Sequence, residues 1–380
     1  MNTVHSDMRL AFWGTYDKGK PRVRILIRGL RENNASISEC HSDVWSNVED
    51  KSQITGFISR LILIFRWLGS YPSLVWRFLR MPRHDAVIVP YMGQLDVLVL
   101  WPFAKARGIP IVWDAFISLY DTVVEDRKLI GRWNPLSKII FFWEWLACKA
   151  ADIIILDTQA HADYFVETFR VPTAKVHTVF VGAEPEFFSR NDKVITVDSD
   201  NLTILFYGQF IPLHGIETIV RAAKLSRNDN LRWIIIGKGQ EEKKISSMLK
   251  DEPVNNLTWV PWVNYDELID WIRKSDICLG IFGDTDKASR VIPNKVFQII
   301  MAGKPLITRD SPAIKELLNT DMPGVRLIPP SDPYALVAAA EELAQLKSTA
   351  GFHQEIYNTI LPVSIGRQLI RHIETLCSPI

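Results

Sequence analysis

Lys295 and Gln298 stand three residues apart in VIPNKVFQIIMAGKPLITRDSPAIKELL, residues 291–318, so on a helix they share one face. Pro293 and Asn294 just before them read as that helix's first turn. An ammonium, an amide and free backbone N–H groups would then converge on one point, an arrangement that suits phosphate. A lysine lying along a surface is the competing reading. In YGQFIPLHG, residues 207–215, a strand ends at Gly208 and Gln209, and a helix starts at Gly215 behind His214. Glycine lets a backbone approach a ligand closely, and the helix start favours a diphosphate, although an ordinary strand-to-helix turn also accounts for these residues. Negative charge beside an imidazole raises its pKa, so His214 is expected to be cationic there. In IIIGKGQE, Lys238 lies between Gly237 and Gly239 and is a further candidate cation, as is Arg290. This Gly-x-Gly signal is weak, and a structural turn explains it equally well.

Asp284-Thr285-Asp286 places two carboxylates where they could hold Mg²⁺ or Mn²⁺ through phosphates. A solvated loop is the preferred reading beside a cationic phosphate site, so no metal and no other cofactor is expected. In the first half Gly14 ends the run RLAFWG, Arg22 opens a helix, and Asp114 ends PIVWD. Strand ends of this kind present side chains to ligands in α/β folds. Asp114 is therefore a catalytic candidate for orienting ligand hydroxyls. Arg22 either reaches a phosphate or is solvated at its helix start. Asp121 and Asp126 can accept from a hydroxyl, cap a helix or form ion pairs. Asp157, Thr158 and His161 suit strand-end and capping roles first.

The elements that position these residues follow from continuous apolar runs separated by helical ones. RLAFW (9–13), ASISEC (35–40), DAVIVPY (85–91), PIVWD (110–114), DIIILDT (152–158) and VHTVFV (176–181) form one series. LTILFYG (202–208), LRWIIIG (231–237), LTWV (257–260), DICLGIFG (276–283), PLIT (305–308) and GVRLIP (324–329) form another. Strands apolar on both faces imply parallel sheets covered by helices. The fold class is α/β, two Rossmann-like domains facing across a cleft. The polar stretch 189–201 marks the boundary, giving an N-terminal domain over 1–188 and a second domain over 189–362. An amphipathic helix over 363–380 crosses back to the first domain.

The chain has 380 residues, 47% hydrophobic and 23% charged, enough apolar material for two cores. With 44 basic and 43 acidic side chains the net charge is +1, so no global field points to nucleic acid. The four scattered cysteines fit a reducing compartment, and no secretory signal is legible at the N-terminus. A cytoplasmic location is expected, with peripheral attachment to the inner face of the membrane as an option. Residues 54–84 carry that option: five arginines among tryptophan and phenylalanine with no acidic residue. Such a segment suits an anionic membrane surface, or else a pair of core helices with arginines at their rims. Arg66, Arg77 and a break expected at Gly69–Pro72 argue against a spanning helix.

Taken in order, YGQFIPLHGIETIVRAA, IIIGKGQE, WVPWVNYDEL, DICLGIF and PNKVFQIIMAGKPLITRDSPAIKELL resemble the C-terminal domain of GT-B-fold, retaining, family 4-like glycosyltransferases (glycosyl transferases group 1). The resemblance is good over 201–320, and FWGTYDKGKPRVRILIRGL and WDAFISLYDTVVEDRK extend it into the first half. It implies transfer of a sugar from a nucleoside diphosphate sugar to an acceptor hydroxyl with retention. The acceptor is expected to be a lipid-linked or cell-surface glycan. The family's diphosphate-binding arginine and lysine fall on Gln209 and His214, and its ribose-binding glutamate falls on Gln298. The glutamate's earlier acidic partner falls on Arg290, while Gly14 matches the family's glycine loop facing the donor phosphates. On this pattern Lys295, His214, Lys238 and Arg290 take the diphosphate and Gln298 the ribose. Two other readings stay open: a sugar-nucleotide epimerase, and a catalytically impaired sugar-nucleotide-binding partner subunit.

Overall fold

The computed structural model describes residues 8–44, 57–187, 201–228, 230–345 and 354–377. The chain forms two compact units. One comprises Met1–Val124, Lys128–Val181 and Pro362–Ile380; the other comprises Glu125–Arg127 and Gly182–Leu361. The division falls at Val181 and Gly182, whereas most of the expected linker, 189–200, lies outside the described residues.

The first unit contains β1 (Arg9–Gly14), α1 (Pro21–Glu32), β2 (Ser36–His41), α2 (Phe57–Arg80), β3 (Ala86–Val89) and α3 (Gln94–Arg107). It continues with β4 (Ile111–Asp114), α4 (Pro135–Ala150), β5 (Ile153–Leu156), α5 (Gln159–Phe169) and β6 (Val176–Thr178). The strands pair in parallel in the order β2-β1-β3-β4-β5-β6. Alternation along each strand sorts its side chains to two cores. Ala11, Trp13, Val87, Val89, Ile111 and Trp113 enter the core under α2 to α5. Leu10, Phe12, Ala86, Ile88 and Val112 enter the one under α1.

The second unit contains β7 (Leu202–Tyr207), α6 (Ile216–Leu225), β8 (Leu231–Ile236), α7 (Glu242–Asp251), β9 (Leu257–Val260), α8 (Tyr265–Lys274) and β10 (Ile277–Leu279). There follow α9 (Asp286–Arg290), α10 (Asn294–Met301), β11 (Leu306–Arg309), α11 (Pro312–Lys315), β12 (Val325–Ile328), α12 (Pro333–Ala344) and α13 (Gln354–Ile360). Its parallel order, β12-β11-β10-β7-β8-β9, is that of doubly wound nucleotide-binding sheets, with the switch point between β7 and β10. The last helix, α14 (Pro362–Cys377), returns to the first unit and packs on α1. Gly29 and Gly366 permit this crossing. A Cβ on Gly29 would lie 1.9 Å from the Pro362 oxygen, and one on Gly366 would lie 2.2 Å from Gly29.

Two expectations are corrected. No break occurs at Gly69–Pro72: α2 is one helix of 24 residues with Pro72 inside it. Tyr71, Leu74 and Phe78 form a single stripe buried in the first core, and this burial outweighs the proline's local cost. DICLGIFG is strand only over Ile277–Leu279. Beyond it the N–H groups of Phe282 and Gly283 donate to the carbonyls of His214 (3.1 Å) and Leu213 (3.2 Å), so the chain turns to support the loop after β7.

Candidate active site

Seven of the residues marked in the sequence, Gly208, Gln209, His214, Gly215, Asn294, Lys295 and Gln298, gather at the switch point of the second sheet. β7 ends in Phe206 and Tyr207, and Gly208 follows with φ of +141°, a conformation that disfavours any other residue. A Cβ there would lie 2.9 Å from Lys295 Nζ and 3.2 Å from His214 Cε1, so Gly208 opens the space in which those two groups meet. Gly215, with φ of +65°, caps α6 from the left-handed region. Its Cβ would collide with Gly283 at 2.5 Å, which holds the β7 loop against the β10 loop.

Lys295 lies in the first turn of α10 and is 5% exposed. Its Nζ has no hydrogen-bond partner and sits 3.7 Å from the centre of the Phe206 ring. Burial without a counter-ion pushes its pKa well below the ordinary lysine value. Such a group is costly unless a ligand supplies the missing acceptor. One turn on, Gln298 is held from below: the Tyr207 hydroxyl donates to Gln298 Oε1 (3.0 Å) and also approaches the Lys295 carbonyl (3.3 Å). Asn294, at the helix start, has a buried Oδ1 without a partner.

In this state His214 is a neutral ring. Its Nδ1–H donates to the Gln209 carbonyl, which leaves Nε2 as an acceptor. Burial, then the charges of Lys295 and Arg127, push its pKa well below the ordinary histidine value. Arg127 was not singled out in the sequence. Its short segment, Glu125–Arg127, belongs to the second unit, where Arg127 Nη2 donates to Gln209 Oε1 (3.3 Å). Positive charge therefore reaches position 209 from elsewhere in the chain. The only sequence signal was a basic pair, Arg127-Lys128, after an acidic one.

The remaining candidates lie apart from this cluster or are otherwise engaged. Gly237 and Gly239 pack the β8 loop against Gly208 and Phe210, with the nearest approach 1.9 Å from a Cβ on Gly237 to the Gly208 oxygen. These glycines serve loop packing, while the half-buried Lys238 accepts at its carbonyl from the Phe210 N–H (3.0 Å). Arg290 ends α9 and faces Glu125 at 3.9 Å. Thr285 caps α9 and donates to Asp126 (2.9 Å), while Asp284 and Asp286 lie near the buried Arg309 guanidinium and help offset the cost of burying it.

In the first unit Arg22 and Asp114 form a buried bidentate ion pair, with Arg22 Nη2 2.7 Å from Asp114 Oδ1. Arg22 also donates to the carbonyls of Val179 (2.8 Å) and Phe180 (2.9 Å). The carboxylate read as a hydroxyl-orienting group is thus the counter-ion of a fully buried arginine, and Arg22 is not solvated. The space behind Gly14 is filled by Asp96, whose Oδ2 would lie 2.3 Å from a Cβ. Asp96 accepts from the Thr15 N–H (2.8 Å) and the Tyr71 hydroxyl (2.6 Å). Thr158 caps α5, and His161 Nδ1 meets Asp157 at 2.7 Å.

Comparison with known proteins gives this geometry a family. Residues 201–345, which carry the whole cluster except Arg127, match the model of glycosyl transferases group 1. Over these residues the chain is similar to the glycosyl transferases of group 1. Its fold is the GT-B architecture of two Rossmann-like units. The chain is 22% identical over 341 residues to TuaH of Bacillus subtilis (strain 168), assigned as a teichuronic acid biosynthesis glycosyltransferase; the alignment covers 83% of this chain and 82% of TuaH. It is 20% identical over 297 residues to the chitobiosyldiphosphodolichol beta-mannosyltransferase of Candida albicans, covering 73% and 64% of the two chains. The fold is similar to that of Anabaena Alr3699/HepE in complex with UDP, with a TM-score of 0.65 and 12% identity over 97% of this chain and 100% of the other.

Proposed function

We propose that this glycosyltransferase moves a sugar, a hexose in our reading, from a nucleoside diphosphate sugar to an acceptor hydroxyl, with retention at the anomeric carbon. The observation that carries this reading is the buried, unpartnered Lys295 ammonium beside Gly208 and the start of α10. A diphosphate supplies the acceptor oxygens that this group lacks. Cleavage of the glycosyl–phosphate bond places negative charge on the leaving diphosphate. Lys295, Arg127 and the N–H groups at the starts of α6 and α10 stabilise it where it forms. His214, once a diphosphate is bound, takes up a proton under the anion's field and donates to it from Nε2. Gln298, fixed by Tyr207, contacts the ribose with its amide.

The acceptor is a lipid-linked or cell-surface glycan. The names of TuaH and the Candida albicans mannosyltransferase support that class, and the UDP complex of the Anabaena protein supports the donor class. The reading needs no metal, since Arg309 supplies positive charge near Asp284 and Asp286.

The test is a thermal-shift panel of UDP-, GDP- and ADP-sugars, followed by NMR of the product's anomeric configuration. Stabilisation by one nucleotide class and a retained configuration are expected; no stabilisation by any donor, or an inverted product, refutes the reading. A second reading, a sugar-nucleotide-binding partner subunit, is favoured by Gln209 and the neutral His214. It predicts stabilisation without hydrolysis or transfer.

A further inference from the structure

We propose that one side of the first unit, the outward faces of α2, α3 and α4, is a docking surface for an anionic phospholipid bilayer. The inward faces of all three helices enter one core: Leu74 and Phe78, Val97 and Leu100, Ala147 and Cys148. Their outward faces therefore look away from the same side of the sheet. Each helix carries a tryptophan followed four residues later by a cation over its ring. Arg80 Cζ lies 3.9 Å from the Trp76 ring centre, Lys105 Nζ 5.3 Å from that of Trp101, and Lys149 Nζ 5.6 Å from that of Trp145.

Large apolar side chains are exposed among these pairs. Phe65 on α2 is 72% exposed, Ile139 on α4 is 61% exposed, and Trp133, two residues before α4, is 91% exposed. In water a surface of this kind is unfavourable, and its composition states what would cover it. The only acidic residues in these helices, Asp96 and Glu144, are both buried. Asp96 takes Thr15 and Tyr71, and Glu144 takes Ser118, Gln94 and the N–H groups of Leu119 and Tyr120. The outward charge on the three helices is thus wholly basic. Tryptophans at headgroup depth, aliphatic side chains below them and cations reaching lipid phosphates match the layering of an anionic bilayer. No described helix is long and apolar enough to cross a membrane, so the contact is peripheral. The surface extends the expectation for residues 54–84 to two further helices. In purpose it rests on the proposed lipid-linked acceptor, whereas the contact itself does not depend on the donor site.

The test is flotation of the full chain at low salt with vesicles of phosphatidylcholine alone and of phosphatidylcholine with phosphatidylglycerol. Flotation only with the anionic vesicles is expected. Each basic residue near such a surface raises partitioning about five-fold, so the combined Arg80→Gln, Lys105→Gln, Lys149→Gln variant should bind on the order of a hundred-fold less. Trp133→Ser should weaken binding with all charges intact. A donor-nucleotide thermal shift on the same variants should match that of the parent chain, which separates failure of the surface from failure of the donor reading. Three results overturn the proposal: no flotation with anionic vesicles, equal flotation of the triple variant, or self-association in solution, lost in the variants, without vesicle binding.

Discussion

Replacing Lys295 by methionine separates a ligand-binding lysine from a structural one, because the two roles predict opposite changes in stability. The Nζ is buried without a partner, and relieving an unpaired buried charge gains about 3 kcal/mol. Removing its contact with Phe206 forfeits about 2 kcal/mol. The net gain, about 1 kcal/mol, raises Tm by about 2–4 °C for a unit of this size. The same change removes a charged hydrogen bond to the donor diphosphate, about 1.5–3 kcal/mol, so UDP or the matching nucleotide should bind about ten- to a hundred-and-fifty-fold more weakly.

The pH dependence follows from the lowered lysine pKa. The unfolded chain holds this proton more tightly than the folded one. Stability of the parent chain therefore gains a contribution as pH rises from the folded-state value toward 10.5, and Lys295→Met lacks it. Calorimetry with and without nucleotide measures both effects. A lowered Tm together with an unchanged nucleotide-induced shift would refute the reasoning, since it would make Lys295 a packing residue.

Two other outcomes are expected. His214 has its folded-state pKa below 6.5, so its contribution to stability is complete above pH 6.5 and is lost as pH falls toward the folded value. His214→Gln should flatten the acid side of the stability curve, measured by urea unfolding across that range, although His41, His84, His177 and His372 are lowered too and keep part of the slope. Sugar transfer should persist in EDTA; activity abolished by EDTA and restored by Mn²⁺ would show instead that Asp284 and Asp286 recruit a metal.

The sequence by itself determined the two sheets. Each strand is a short apolar run with both faces in a core, and a run such as IVWD or AVIV has no stable alternative once helical segments flank it. It also placed Lys295 and Gln298 on one face of a helix, because 3.6 residues per turn fix that relation locally. Only the tertiary structure decided what those groups face. Nothing near Arg22 in the chain announces Asp114, 92 residues away, or makes the pair a buried brace instead of two free ligand contacts. Charge state was equally hidden. His214 is neutral because burial and two cations from distant segments act on it together, and electrostatic energy depends on distance in space and on desolvation, neither of which a linear pattern contains.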